Sequence, residues 1–405
     1  MPRTMPGTAS PLPPRAPAEG PEVFAARRRA LLRQAGARGL GTVLVFGHGS
    51  ALGAGSQSHG ALRYLCGWDG HESPSLLALT PTGDHLFVGS AFLMPLARAL
   101  HADLALHDVR PAAWAAALGA LTGASACGTV GFSEMPAGIH SPLAAPGHVA
   151  LDGELARMRL VKDTAELALH RQAAALCDML FARLGTELAR RIPAWQAQLN
   201  LETAARLAGA DYCRTWLTVA PEADYCRYWR EEAQRVPQAG DQVLFGIALT
   251  VDGHWGHGIR MGAIGPLKTQ HVALAQQVEA MLQAGLAALA PGLPLAGVEA
   301  AMDGQMQRAG LMAAHPGLAR FRNGHGLGCS YEDPLLTEAF PQHFDRTTPA
   351  HRAPELALAP GMLLELHPNL FIPGLGGAAI GEMVLVTAEG PSCLLAFPRA
   401  PMAWD

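Results

Sequence analysis

The sequence has 405 residues, of which 49% are hydrophobic and 16% are charged, and its formal net charge is −4 at pH 7. This length suggests two or three domains, and the composition allows a large buried core and excludes a chain that is disordered throughout. The small negative charge and the lack of a basic run argue against nucleic-acid binding, and no apolar run reaches the roughly 18 residues of a membrane span.

The N-terminal segment predicts a disordered arm over residues 1–22, because its first 21 residues carry seven prolines and no apolar stretch. The same feature argues against a secretory signal. The seven cysteines are odd in number and never show C-x-x-C spacing. They therefore indicate reduced thiols in a cytoplasmic protein rather than a disulfide scaffold or a structural zinc site.

An α/β domain is predicted over residues 23–150. In chain order its elements are a helix at 23–37, a strand at 42–46, a hairpin of strands 75–80 and 85–88, a helix at 91–102, a strand at 104–109, a helix at 114–121 and a strand at 129–132. This alternation favours a mixed sheet flanked by helices. A Pro- and Gly-rich stretch at 144–153 marks the expected domain boundary.

An α+β domain is predicted over residues 155–405. Its helices are expected at 160–184, 193–208, 272–289 and 295–309, and its strands at 212–219, 242–249, 254–262, 362–367, 379–387 and 392–397. Asp163 or Thr164 is expected to cap the first of these helices, with Glu166 in its first turn. Asp252-Gly253 is typical of a hairpin turn.

Four segments of the second domain then carry a family resemblance. They are residues 159–167, residues 240–243 with Asp252-Gly253 and Arg260, residues 324–328 with Pro334, and residues 360–362 with Pro368, Gly377 and 384–387. In this order and spacing they resemble the pita-bread superfamily of creatinase, Xaa-Pro aminopeptidase and prolidase. The resemblance covers about residues 155–397, and the first half is similar to the smaller creatinase-type domain.

The resemblance also predicts where the ligands of the superfamily's two metals would fall. The positions of two Asp, one His and two Glu correspond here to Gly246, His257, His325, His367 and Gly381. A dinuclear site needs bridging carboxylates, which three neutral imidazoles cannot replace. The sequence therefore predicts that the usual two-metal peptidase site is missing.

His257, His325 and His367 fall at positions that the superfamily directs into one cavity. Two interpretations are open. The three imidazoles could hold one divalent zinc, iron or copper ion, or they could be hydrogen-bonded pocket residues without a metal. Loss of the carboxylates at Gly246 and Gly381 leads to a further hypothesis, that the freed space admits a larger or more anionic substrate.

Catalytic candidates are His325, Glu332 and Glu365. Glu365 lies two residues before His367 on one predicted strand, so both side chains should share a face, where Glu365 could orient a histidine, bind a cation or act as a base. A surface position is the alternative for Glu365. Three aromatic residues are predicted to form a pocket wall that binds substrate: Tyr228, Trp229 and Trp255. The alternative is that they belong to the core.

Several neighbouring residues are expected to be structural. His254 and Arg260 should face away from His257, because three residues along a strand reverse the side-chain direction. Asp333 precedes a proline, Glu382 should face away from the side of Gly381, and Cys329 lacks an orienting group that would make it a nucleophile.

Three functions follow from these residues. The first is hydrolysis of a C–N bond in a small amino-acid-like, amide or amidine substrate, with or without one metal. The second is a mononuclear metal enzyme, a lyase or oxygenase, and the third is a protein that binds ligands without catalysis. The resemblance implies a homodimer, while the composition argues against nucleic-acid and membrane partners.

Overall fold

The computed structural model describes residues 19–122, 126–143, 147–224, 233–335, 337, 339–340 and 356–405. Within these ranges the helices are α1 (Pro21–Gly36), α2 (Ser50–Gly53), α3 (Gln57–Cys66), α4 (Met94–Leu100), α5 (Trp114–Thr122), α6 (Ala137–Leu143), α7 (Asp152–Leu160), α8 (Thr164–Ala189), α9 (Ala194–Leu207), α10 (Thr269–Ala287), α11 (Leu295–Arg308) and α12 (Leu311–Ala314). The strands are β1 (Val43–Gly47), β2 (Ser75–Thr80), β3 (Gly83–Val88), β4 (Ala105–Asp108), β5 (Gly128–Val130), β6 (Val149–Ala150), β7 (Tyr212–Ala220), β8 (Gln242–Val251), β9 (His254–Ile264), β10 (Gly324–Gly326), β11 (Leu363–Leu366), β12 (Asn369–Ile372), β13 (Gly376–Ala379), β14 (Glu382–Thr387), β15 (Gly390–Cys393) and β16 (Met402–Trp404).

The first half of the chain is built on a mixed sheet in the order β4-β3-β2-β1-β5-β6. β1, β2 and β3 pair antiparallel, whereas β4, β5 and β6 each join in parallel. Helices α1 and α3 cover one face, because their apolar side chains share a core with those of β1 and β2. The predicted α/β architecture is confirmed, although α2, α3 and α6 were missed in segments rich in glycine, serine and proline.

The described residues begin at Glu19, inside the segment predicted as an arm. Residues 1–18 lie outside the described residues, but α1 already begins at Pro21. Glu19 forms an ion pair with Arg27, whose buried guanidinium also binds Asp163 at 2.8 Å. The prediction of disorder is therefore wrong for residues 19–22, because the buried charge of Arg27 needs carboxylate partners.

In the described part of the second half there are two four-stranded sheets covered by helix pairs, together with the two-stranded β12–β13 hairpin. One sheet has the order β16-β9-β8-β7 and packs against α8 and α9. The other has the order β10-β11-β14-β15, and α10 and α11 pack beside it and the β12–β13 hairpin. An antiparallel bridge between Ile259 and Gly381 links the sheets, and the site forms around it. This arrangement confirms the predicted α+β architecture.

Local sequence signals explain several boundaries. Asp163 accepts from the Glu166 amide while the Glu166 side chain accepts from the Asp163 amide, so the predicted cap of α8 is a complete capping box. Asp252 and Gly253 both have positive φ, 47° and 79°, as the tight turn between β8 and β9 requires.

The strand predicted at 379–387 is instead split between β13 and β14. The chain passes there from the β12–β13 hairpin to the β11–β14 sheet, and Gly381 bridges to Ile259 at the crossing. The apolar pattern of the sequence does not reveal that the chain changes from pairing with β12 to pairing with β11.

Buried ion pairs join the last turn of α7 and the segment after it to the loop that follows β10. Asp333 pairs with Arg159 and with Lys162, and all three side chains are at most 5% exposed. This agrees with the structural role expected for Asp333. Among the described helices, none combines the length and apolarity needed to cross a bilayer.

Candidate active site

Three histidines from three different strands meet at the junction of the two sheets. His257 lies on β9, His325 on β10, and His367 directly follows β11. Their ring centroids are 5.4 Å apart for His257 and His325, 5.8 Å for His257 and His367, and 5.1 Å for His325 and His367. The structure therefore brings together the three imidazoles that the sequence pointed to.

Glu365 lies beneath these rings and is completely enclosed. It stands opposite His325 in the β10–β11 register, and its Oε1 is 3.5 Å from Nδ1 of His257. Neither carboxyl oxygen has a hydrogen-bond partner among the described residues. Burial, and then the nearby Glu382 charge, raise the pKa of Glu365 well above its ordinary value, which favours the uncharged acid.

Tyr331 joins the cluster from the loop after β10. Its hydroxyl is 3.3 Å from Nε2 of His257, and its ring lies 5.3 Å from the His257 ring and 5.1 Å from the His325 ring. The sequence analysis missed this residue because a single tyrosine in an irregular loop carries no periodic or motif signal.

Burial favours the neutral form of all three imidazoles. Burial lowers the pKa of His257 and His325 well below the usual value, and it lowers the pKa of His367 to about 3, with Arg322 adding to each shift. Nδ1 of His325 donates to the Gly326 carbonyl at 2.9 Å, which fixes the tautomer. Its buried Nε2 is then a proton acceptor with no partner among the described residues.

A cavity of about 1120 Å³ lies above the cluster. Both halves of the chain contribute to its wall, which includes His48, Gln57, Glu134, His257, His325 and His367. Trp255 also lines it and stacks edge-on against Tyr331 at 5.1 Å. Trp255 therefore lies where a substrate wall was predicted, whereas Tyr228 and Trp229 lie outside the described residues.

Fixed charges stand at the cavity wall rather than at its floor. Glu332 forms an ion pair with Arg322, and both side chains are about 15% exposed. Burial lowers the pKa of Arg322 to about 10, so the guanidinium keeps its charge at neutral pH. Glu332 is therefore a partner of Arg322, and a catalytic role for it stays a prediction.

Comparison with known proteins assigns the sequence that forms this site to a family. The sequence model described as "Metallopeptidase family M24" matches residues 168–388, more than half of the chain. The chain belongs to metallopeptidase family M24. This confirms the predicted pita-bread superfamily, and membership in a peptidase family supports the prediction of an enzyme.

The curated relatives and solved structures agree with the assignment. The chain is 24% identical over 253 residues to the putative dipeptidase YkvY of Bacillus subtilis, covering 62% of this chain and 64% of that protein. It is 26% identical over 240 residues to the probable dipeptidase PepE of Mycobacterium tuberculosis, covering 58% of each. The chain thus spans about 60% of the length of these relatives.

Two solved structures share the fold. Dipeptidase PepE from Mycobacterium ulcerans superposes with a TM-score of 0.74 at 22% identity, over 96% of this chain and 99% of that chain. X-Pro aminopeptidase from Thermotoga maritima superposes with a TM-score of 0.72 at 16% identity, over 90% and 98%.

Family membership supports a divalent metal in general, but the residues of this M24 chain do not fit a two-metal site. Two of the five ligand positions implied by the resemblance are glycines, and the described residues contain no group of three or more His, Cys, Asp or Glu arranged to hold a metal ion. Both ring nitrogens of His257 face other groups, Glu365 and Tyr331. A metal role for His257, His325 and His367 stays a prediction.

The space expected at Gly381 is already filled. A Cβ atom at this position would come within 2.5 Å of Glu365 Oε1 and of the Ile259 amide nitrogen. The hypothesis that lost carboxylates leave room for a larger substrate is therefore wrong at Gly381, because Glu365 occupies the site from the neighbouring strand.

The residues expected to face away from His257 do so. Arg260 binds Glu382 at 2.6 Å and the Gly381 carbonyl at 2.6 Å. His254 lies 3.6 Å from the Cys329 sulfur, and its ring packs edge-on against that of His170. Burial raises the pKa of the Cys329 thiol, which agrees with an inert side chain.

The contact at Gly381 predicts a measurable loss of stability in Gly381→Ala. The added methyl group must displace Glu365 or the β9 backbone, and overpacking of this kind costs about 1–3 kcal/mol in the free energy of unfolding. Urea denaturation monitored by circular dichroism measures it.

Gly304→Ala is the matched control. Gly304 lies in α11, where an added Cβ meets only the end of the Arg308 side chain at 3.3 Å. Replacing a helical glycine with alanine should gain up to about 1 kcal/mol. A Gly381→Ala protein as stable as the wild type would show that Glu365 does not occupy this space.

Proposed function

We propose that this M24 chain is a metal-independent hydrolase that cleaves a C–N bond in a small amino-acid-like amide or amidine. The observation that carries the proposal is the composition of the cavity floor, where three buried imidazoles lie together beside a fully enclosed carboxyl that has no hydrogen-bond partner among the described residues. The relatives named dipeptidase support a hydrolase acting on small substrates. The missing carboxylates argue against the two-metal route.

His325 is the proposed general base. Its Nδ1 is committed to the Gly326 carbonyl, so Nε2 presents a lone pair next to the cavity. A water molecule there can transfer a proton to Nε2 while its oxygen attacks the carbonyl or amidine carbon. The C–N bond then breaks, and the leaving nitrogen takes up one proton. An amide thus gives an acid and an amine, an amidine gives an amide and an amine, and in both cases the products together contain the added water.

Arg214 supports an amino-acid-like substrate. It lies at the cavity wall with its guanidinium 5.9 Å from the Trp216 ring, and it forms no ion pair with the described residues. A substrate carboxylate would supply the counter-charge that other arginines of the wall already have, as Arg322 does in Glu332.

His325→Ala should abolish most of the turnover. Protein purified without chelators is screened for amine or ammonia release from dipeptides, N-acyl amino acids and amidines, and its metal content is measured by mass spectrometry. We expect hydrolysis with far less than one metal equivalent, unchanged by chelator, and a fall in kcat of roughly 10²–10⁴-fold in His325→Ala. His315→Ala, outside the cluster, is the control.

The other outcomes are equally informative. One equivalent of zinc, iron or copper that is lost in His257→Ala would support the predicted tri-histidine metal site instead. Two equivalents with cleavage of Xaa-Pro dipeptides would contradict the proposal. Ligand binding without turnover of any compound would favour the non-catalytic interpretation. The expected homodimer and cytoplasmic location remain predictions.

The pH dependence gives an independent test. Burial lowers the pKa of His325, so Nε2 stays unprotonated below the ordinary histidine range. The value of kcat/KM should therefore remain level as the pH falls from 8 through 6.5, and should decline only at lower pH. An acidic limb centred near 6.5, in protein that circular dichroism shows to be folded, would contradict the role of His325.

A further inference from the structure

The part of the cavity wall that comes from the first half of the chain is polar. β1 and β5 are parallel neighbours, and the segments that follow their carboxyl ends, together with the start of α3, line the cavity. The polar residues that these segments contribute are His48, Ser56, Gln57, Ser133 and Glu134. In open α/β sheets, ligands commonly bind at the carboxyl ends of the parallel strands. This edge of the sheet is therefore a candidate subsite.

Glu134 gives this edge its negative charge. We propose that its carboxylate binds a cationic group of the substrate, an ammonium, guanidinium or amidinium ion, and thereby acts as a specificity-determining residue. This inference rests on the proposed hydrolysis, in which Arg214 binds a substrate carboxylate, and it adds the charge of a second group on the same substrate.

One oxygen of Glu134 is fixed by the protein and the other is open to a ligand. Oε2 accepts from the Ser58 backbone amide at 3.0 Å, in the first turn of α3, where a negative charge is favourable. Oε1 has no hydrogen-bond partner among the described residues, and it is not enclosed. The side chain is thus held at the cavity wall with half of its acceptor capacity unused.

The charge of Glu134 is also unpaired. Among the described residues, none with a positive charge forms an ion pair with it. The other acidic residues of the described wall have basic neighbours. Glu332 pairs with Arg322. The charge of Glu299 interacts with that of Arg320. A cationic group of the substrate would supply the counter-charge that Glu134 lacks.

His48 places a second acceptor on the same edge. Its Nε2 is 3.1 Å from the Glu134 carbonyl oxygen, and a carbonyl only accepts, so Nε2 carries the proton of the neutral ring. Nδ1 is then an acceptor, and no described residue donates to it. Ammonium and guanidinium groups each carry several N–H donors, so acceptors that the protein leaves unused suit a cation better than an anion.

Four compounds test the preference for a cation: lysylalanine, norleucylalanine and the Nα-acetyl derivative of each. All four carry a carboxylate for Arg214, and they have an ammonium at the α-position, in the side chain, at both or at neither. Calorimetry with His325→Ala measures their binding without turnover. We expect at least one ammonium position to tighten binding roughly tenfold relative to Nα-acetyl-norleucylalanine, as for a hydrogen bond to a charged group. The position that does so identifies which cation reaches Glu134.

Glu134→Gln and Asp69→Asn are a matched pair, each made in the His325→Ala protein. Glutamine keeps an oxygen for the Ser58 amide and loses the charge. Asp69 Oδ1 also accepts a backbone amide at the start of a helix, that of Ser50 at 3.0 Å, but Asp69 does not belong to the described cavity wall. The preference for a cation should disappear in Glu134→Gln and persist in Asp69→Asn.

Two results would overturn the inference. One is equal or undetectable binding of all four compounds to the His325→Ala protein. The other is a preference for the cation that persists in a Glu134→Gln variant shown by circular dichroism to be folded.

Turnover by the wild type separates this inference from the proposed function. Hydrolysis with a KM that does not depend on the ammonium would overturn the inference and leave the hydrolase. Preferential binding of the cationic compounds without hydrolysis of any amide or amidine would overturn only the proposed function. If both hold, Glu134→Gln should raise KM for the cationic substrate roughly tenfold and leave kcat within about threefold, because the cation is bound alike in ground and transition states.

Discussion

The site depends on one carboxyl group that the fold encloses completely. Glu365 stands under the His257 ring, and its Oε1 is so near Gly381 that any side chain there would collide with it. Leaving an ionised carboxylate in this position without partners would be very unfavourable, so the burial favours the neutral acid. The nearby Glu382 carboxylate already has a counter-charge, because Arg260 binds it at 2.6 Å.

A neutral floor changes what the cavity can do. A pair of divalent cations needs anionic ligands to offset its charge, whereas the resemblance implies that glycines stand at two of the ligand positions here and imidazoles at two more. The same features suit acid–base chemistry. His325 has a fixed tautomer with an open acceptor, and His257 connects the buried acid to a hydroxyl at the wall. Permanent charges lie further out, in the Arg322–Glu332 pair.

Much of the fold could be predicted from sequence because it follows from local chemistry. The capping residues Asp163 and Glu166 and the Asp252-Gly253 turn each fix their own backbone geometry. The grouping of His257, His325 and His367 could also be predicted from sequence, because the family's motif spacing places them on adjoining strands. Other features required the assembled molecule. Nothing in the sequence shows that Tyr331 turns toward His257, or that Glu365 fills the space at Gly381, because both contacts join separate segments.

The protonation state of Glu365 is the most direct test of this account. Infrared difference spectra between wild-type and Glu365→Gln protein at pH 7, in water and in deuterium oxide, isolate the signal of this one group. The account predicts that the wild type shows the carbonyl band of a protonated carboxylic acid, shifted in deuterium oxide and absent from the variant. If the Glu365→Gln variant instead lacks a pair of ionised-carboxylate bands that the wild type shows, Glu365 is charged at pH 7 and the account is contradicted.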